Sequence, residues 1–189
     1  ATMLCFVCTD AAAEPQTLQK ILSGAVDRSF NRITVDGDTS TNDTVLLMAG
    51  GRSGVTVDAP PAAAAFGDVL DEVLLELARM IVRDGEGATK VVEIAVTGAE
   101  SDAAARRVAD VVAHSNLVKT ALFGEDANWG RIVAAVGRAG VPVDPDRIAI
   151  RFDDVLMVEN GVGCGEAAEA RAAGVLKKSA FAISVDLNM

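Results

Sequence analysis

The sequence predicts a mixed α/β fold in which sheets and helices form layers. Three observations support this: extended and helical patterns alternate, the helical segments carry apolar residues at a spacing of about 3.6 residues, and the extended segments are short and rich in β-branched residues. The chain of 189 residues is long enough for one sizeable core. We therefore expect residues 1–189 to form one unit, with any subdivision near residues 140–145.

The first half of the chain contains two clear helical patterns. Pro15 opens the first, and Pro60 opens the second, because proline suits the first helical position. In the second helix, apolar residues from Phe66 to Ile81 form one continuous apolar stripe, and the helix is predicted to end at the turn 84–87. Strands are predicted at residues 3–8, 33–35 and 45–48.

The second half continues the alternation. Ser101 is a predicted N-cap, and a later helix is expected to begin near Asn128 and to end at Gly137 or Gly140. Asp153 and Asp154 join two extended segments as a hairpin turn. The remaining predicted elements are strands at 90–97, 147–152, 155–158 and 181–187 and a helix at 165–176.

Composition excludes several classes of protein. The net charge of −10 argues against nucleic-acid binding, which needs a basic surface, and no uncharged apolar stretch reaches the roughly 18 residues that span a bilayer. Three cysteines are an odd number, which favours a reducing compartment such as the cytoplasm. In a strand, Cys5 and Cys8 would point to opposite faces, so we interpret them as small core residues.

The first four residues, Ala1 to Leu4, resemble the interior of a protein, because a hydroxyl residue directly precedes an apolar strand. This pattern suggests a terminus made by cleavage. A cut between Ala1 and Thr2 would place the Thr2 hydroxyl beside its own α-amine, which activates a weak nucleophile. An arbitrary sequence boundary is the alternative. His114 is the only histidine, and its position predicts a cap of a helix C-terminus rather than a catalytic base.

Two loops carry further candidate site residues. The loop 36–44 has eight polar residues in nine, which suits turn chemistry, substrate shaping or a hard cation. Leu47 stands where an EF-hand needs a bidentate Glu, so we expect no metal. Glu86, flanked by glycines between a helix and a strand, suits the ammonium group of an amino acid, and a solvated turn residue is the alternative.

Four ordered segments together resemble the β chain of the bifunctional ornithine acetyltransferase/glutamate N-acetyltransferase family. They are ATML at 1–4, DTSTNDT at 38–44, GEGATK at 85–90 and LVKTALFGEDANWGR at 117–131. In that family, one precursor cuts itself between Ala and Thr, and the two chains stay associated as an N-terminal-nucleophile-type enzyme. The resemblance implies that cleavage between Ala1 and Thr2 makes Thr2 the nucleophile.

The resemblance further implies acetyl transfer from N2-acetylornithine to glutamate through acetyl-Thr2, in arginine biosynthesis. Glu86 matches a substrate-binding position, an α chain from the same precursor supplies the oxyanion hole, and the assembly is a cytoplasmic α2β2 heterotetramer. No cofactor is implied, and acetyl-CoA as a second acetyl donor stays open. Two alternatives also stay open: an amidase or aminopeptidase with an N-terminal nucleophile, and a non-catalytic amino-acid-binding subunit.

Overall fold

The computed structural model describes residues 2–189, and it confirms the mixed α/β fold. The strands are β1 (Leu4–Thr9), β2 (Thr44–Ala49), β3 (Val91–Thr97), β4 (Ala149–Phe152), β5 (Val155–Glu159), β6 (Val162–Gly163) and β7 (Ala180–Asp186). The helices are α1 (Pro15–Arg28), α2 (Pro60–Arg83), α3 (Asp102–Ala113), α4 (Asn116–Phe123), α5 (Trp129–Gly137) and α6 (Glu166–Leu176). Short 3-10 turns occupy Phe30–Arg32 and Pro145–Arg147.

The chain divides into two compact units between Gly85 and Glu86. The division falls in the glycine-flanked turn after α2, and the two sheets formed by residues 2–189 lie in different units. Residues 140–145, where the sequence pattern suggested a subdivision, lie inside the second unit. There they connect α5 to β4, and both elements contribute to the same core.

The first unit is built on a parallel pair of strands, β1 and β2, in which Leu4 is paired with Thr44. Both predicted helices form, with proline in the first turn of each. The predicted strand at 33–35 is wrong, because these residues have no regular structure and follow a 3-10 turn that buries Phe30. Three residues can make few ladder hydrogen bonds, so their β-branched side chains do not decide the local structure.

The apolar stripe of α2 is wider than the face that the structure buries. Leu70, Leu74 and Ala78 are buried against the core of the first unit. In contrast, Val69 is 60% exposed and Met80 is 52% exposed. The apolar stripe in the sequence includes every hydrophobic residue on one side of the helix. The packing of neighbouring elements determines which of these residues are buried in the core.

One face of the β1–β2 sheet is open. Burial alternates along both strands, so that Phe6 is 61% exposed and Leu46 is 43% exposed, while Cys5 is partly buried. Cys5 and Cys8 therefore point to opposite faces as expected, but the interpretation of Cys8 as a core residue is wrong, since it is exposed. Parallel sheets are usually covered on both faces, so the open face is an unusual feature.

The second unit contains a five-stranded sheet in the order β3-β7-β4-β5-β6. β3 and β7 are parallel, and the remaining pairs are antiparallel. Ser101 caps α3 by accepting the N–H of Ala104 at 3.2 Å, as predicted, and the β4–β5 hairpin turns at Asp153 and Asp154. Helices α3 to α6 contribute to one core with the sheet. Among residues 2–189, no helix is sufficiently long and apolar to span a membrane.

Candidate active site

Thr2 lies two residues before the start of β1 and is exposed. Its Oγ1 is 3.1 Å from Oγ of Ser40. The next amide, the N–H of Met3, donates to Oδ1 of Asp43 at 2.8 Å. Pairing of β1 with β2 places the end of the 36–44 loop beside the residues that precede β1, because β2 begins where this loop ends. The structure thus connects two of the four motif segments.

The loop 36–44 is shaped by its own short polar side chains. Oδ1 of Asp36 accepts the N–H of Asp38 at 2.9 Å, and Oγ of Ser40 accepts the N–H of Asn42 at 3.1 Å. The Thr41 hydroxyl donates to the side-chain oxygen of Asn42. These are the local bonds that favour turns over regular structure. The residues described here contain no group of three His, Cys, Asp or Glu side chains arranged to hold a metal ion.

Other candidate nucleophiles and bases are less suited to this chemistry. His114 is the C-cap of α3, and its Nδ1 is 2.8 Å from the carbonyl oxygen of Asp110, which confirms the predicted cap. Burial raises the pKa of the Cys5 thiol, which disfavours the reactive thiolate. Thr2 therefore stays a candidate nucleophile. The cleavage position at Ala1 lies outside the described residues.

Glu86 is exposed in the turn that follows α2, and Gly87 has a φ of +71°. This conformation favours glycine, so the GEG sequence forms a turn that presents the carboxylate to solvent. Glu86 opens the second unit, whereas Thr2 belongs to the first. The structure therefore places each of these predicted site residues at an accessible position within its own unit.

Sequence reasoning missed the role of Lys90. Its side chain is only 10% exposed, and its Nζ donates to the carbonyl oxygen of Leu176 at 2.6 Å. The same Nζ is 3.2 Å from Oε1 of Glu125. The signal in the sequence was the concentration of polar residues at 117–131, which contains Glu125 but does not reveal its partner.

The 117–131 segment forms α4, a tight turn and the start of α5. Asn128 caps α5 through Oδ1, which accepts the N–H of Arg131 at 3.3 Å, and its Nδ2 donates to Asp126 at 3.0 Å. Arg131 donates to the carbonyl oxygen of Leu117 at 2.9 Å and so connects the two helices. Beside this turn is an open cavity of about 540 Å³ that is lined in part by Trp129.

Comparisons with known proteins agree on one family. The sequence model of the ArgJ family matches residues 1–189. The arginine biosynthesis bifunctional protein ArgJ of Geobacter sulfurreducens is 58% identical and aligns with 100% of this chain and 49% of its own length. The protein of the same name from Caulobacter vibrioides is 50% identical, with 100% and 48% covered. The chain thus spans about half the length of these curated relatives.

A solved structure extends the similarity to the fold. The crystal structure of arginine biosynthesis bifunctional protein ArgJ from Bacillus halodurans matches with a TM-score of 0.92 and 43% identity. The match covers 99% of this chain and 89% of the crystallised chain. The aligned region therefore includes residues of both compact units.

Proposed function

This chain belongs to the ArgJ family, and we propose that it is the β chain of an acetyltransferase that moves the acetyl group of N2-acetylornithine to glutamate. The observation that carries the proposal is the position of Thr2, whose hydroxyl lies 3.1 Å from that of Ser40 at the start of β1. The names of the relatives place those proteins in arginine biosynthesis, and we propose the same pathway for this chain.

The proposed reaction begins after self-cleavage of the Ala1–Thr2 bond. The free α-amine of Thr2 takes the hydroxyl proton as Oγ1 attacks the acetyl carbonyl of N2-acetylornithine. The bond from the acetyl carbon to the ornithine nitrogen then breaks, and ornithine leaves with the proton. The amine of glutamate next attacks the acetyl-Thr2 ester, which forms N-acetylglutamate and restores the Thr2 hydroxyl.

The lengths of a curated relative and of a crystallised chain, each compared with this chain, support a two-chain organisation. This chain covers 49% of the Geobacter sulfurreducens protein but 89% of the crystallised Bacillus halodurans chain. The crystallised chain is therefore much closer in length to this chain than the curated relative is. Such a difference is expected when a precursor is cut into two chains near its middle.

The open face of the β1–β2 sheet supports an α-chain partner. Its exposed residues include Leu4, Phe6, Leu46 and Met48, which form an apolar surface beside Thr2. Covering this face with the α chain would remove the apolar side chains from water and bring oxyanion-hole donors to the nucleophile. We propose that two such αβ pairs form an α2β2 heterotetramer in the cytoplasm.

Glu86 is proposed to bind the ammonium group of the amino-acid substrate, because a charge-assisted hydrogen bond to a carboxylate suits that group. The acyl transfer needs no cofactor, since the nucleophile and its base both belong to Thr2. Relatives carry the name bifunctional, and we propose acetyl-CoA as the alternative acetyl donor for the second activity.

The proposal is tested with the αβ protein made from the complete precursor. Incubation with N2-acetylornithine should add about 42 Da, the mass of one acetyl group on the nucleophile, to the peptide that begins at Thr2. Thr2→Ala should abolish both precursor cleavage and labelling. An unlabelled terminal peptide in an active preparation would reject the acetyl-Thr2 intermediate, and release of acetate regardless of glutamate would indicate a hydrolase.

A further inference from the structure

We propose that Lys90 is a positioning residue for Glu86 and acts by fixing one end of the loop that carries this carboxylate. The Glu86 loop comprises residues 84–90, between α2 and β3. The inference rests on the proposed function, because that function assigns substrate binding to Glu86. The contacts that anchor Lys90 lie entirely within residues 86–189, the second compact unit.

The first step is the burial of the Lys90 cation. With 10% of its side chain exposed, Lys90 has lost most of its contact with water and needs compensating partners. One partner is the carbonyl oxygen of Leu176, at 2.6 Å. Leu176 is the last residue of α6, where carbonyl groups lack helical partners and the helix dipole is negative. The ammonium group is therefore held at a site that favours a cation.

The second step is the fixed position of the other partner, Glu125. Its φ is +57°, a left-handed conformation that is uncommon for a residue with a side chain. The backbone is held there because the N–H of Glu125 donates to Leu122 and the N–H of Asp126 donates to Ala121. The carboxylate thus extends from a defined turn, and its Oε1 lies 3.2 Å from Nζ of Lys90.

The third step connects this anchor to Glu86. Gly85 and Gly87 flank Glu86, and residues 88–90 have no regular structure, so the loop itself constrains the carboxylate weakly. The chain becomes fixed at Lys90 and at Val91, whose N–H donates to Ser179 at 2.8 Å. Release of the Lys90 side chain would therefore lengthen the part of the loop that is not anchored and weaken the placement of Glu86.

The test measures steady-state kinetics of the complete αβ enzyme. Lys90→Met should raise the KM for N2-acetylornithine about tenfold, with kcat changed by less than about twofold, because the displaced group binds substrate. Glu125→Gln retains the shape of the side chain and should raise KM about threefold. Lys90→Arg should restore most of the affinity. The control is Lys178→Met, because Lys178 is exposed and pairs with Asp153.

A double-mutant cycle separates positioning from general destabilisation. In a Glu86→Gln background, Lys90→Met should change KM by less than about twofold, since both changes act on the same interaction. If KM in the double variant rose by the product of the two single-variant increases, the proposal would be overturned. A wild-type KM in Lys90→Met would also overturn it.

Amide hydrogen exchange gives a readout that does not depend on turnover. Residues 86–90 should exchange at least about tenfold faster in Lys90→Met than in the wild type and the Lys178→Met control. Unchanged exchange at these amides would overturn the positioning role. If the wild-type complex itself transfers no acetyl group, the proposed function fails, and the exchange result still decides whether Lys90 fixes the loop.

Discussion

The hydroxyl oxygen of Ser40 lies 3.1 Å from the hydroxyl oxygen of Thr2. Oγ of Ser40 also accepts the N–H of Asn42, which limits the directions that the side chain can take. The loop that carries Ser40 leads into β2, and β2 pairs with β1 from Leu4 onwards, two residues after Thr2. The same pairing that forms the sheet therefore orients the proposed nucleophile.

Ser40→Ala is expected to lower kcat by about tenfold to a hundredfold while leaving the KM for N2-acetylornithine nearly unchanged. The reason is that Ser40 contacts the Thr2 hydroxyl, so its loss changes the orientation of the attacking oxygen. The measurement is the rate of acetyl-Thr2 formation in a single turnover, together with steady-state kinetics.

Thr41→Ala is the matched control for the Ser40 variant. The Thr41 hydroxyl donates to Asn42 in the same loop, so this change removes one hydroxyl group and one loop hydrogen bond. Rates close to wild type are expected. Equal losses in Ser40→Ala and Thr41→Ala would show that the loop matters only as a scaffold.

Asp43→Ala is expected to slow self-cleavage of the precursor about tenfold. Asp43 accepts the N–H of Met3, the second residue after the proposed cut, at 2.8 Å, and a hydrogen bond to a charged group is worth about 1.5–3 kcal/mol. Gel analysis of precursor and cut chains over time would measure the rate. Asp43→Asn retains an acceptor and should cleave faster than Asp43→Ala. Wild-type cleavage in Asp43→Ala would contradict this role.

Local sequence patterns predicted most of the fold because they are set by nearby residues. The prolines at 15 and 60 begin helices, and Ser101 caps one. The patterns could not show which apolar face of α2 is buried. Leu74 and Val69 are both apolar residues of the same stripe, and only the packing of neighbouring elements determines that Leu74 is buried and Val69 is exposed. The short helix α4 was also not predicted, because its residues were interpreted only as part of a motif and no secondary structure was assigned to them.

The sequence could predict those site residues whose proposed role depends on their residue type. It could not predict contacts between residues that are distant in the sequence. Thr2 and Glu86 could be proposed from a hydroxyl group beside a strand and from a carboxylate between glycines. The contacts of Thr2 with Ser40 and of Lys90 with Glu125 join residues 38 and 35 positions apart. Tertiary contacts between residues this far apart leave no periodic signal in a single sequence.

Phe6→Glu is expected to prevent stable association with the α chain. Phe6 is 61% exposed on the open β1–β2 face, where a buried carboxylate without a partner would cost several kcal/mol. Copurification of this chain with a tagged α chain, both expressed from separate genes, would measure the loss.

Val162→Glu supplies the control for the association experiment. Val162 is 69% exposed, so it also places a charge at an exposed apolar position, but it lies on β6 in the second unit. Copurification should be retained in this variant. Retention in Phe6→Glu as well would show that the α chain covers some other surface.

Asp153→Asn is expected to reduce the loss of stability that acid causes. The backbone N–H of Ala182 and the ammonium group of Lys178 hold the pKa of the Asp153 carboxyl below its ordinary value. Because the folded pKa is below the unfolded value near about 3.9, this stabilisation is fully present above that pH and is lost as pH falls through the folded pKa. Urea midpoints measured from about pH 5 to pH 2.5 should therefore fall less steeply in Asp153→Asn than in the wild type. Equal slopes for Asp153→Asn and wild type would contradict the assignment.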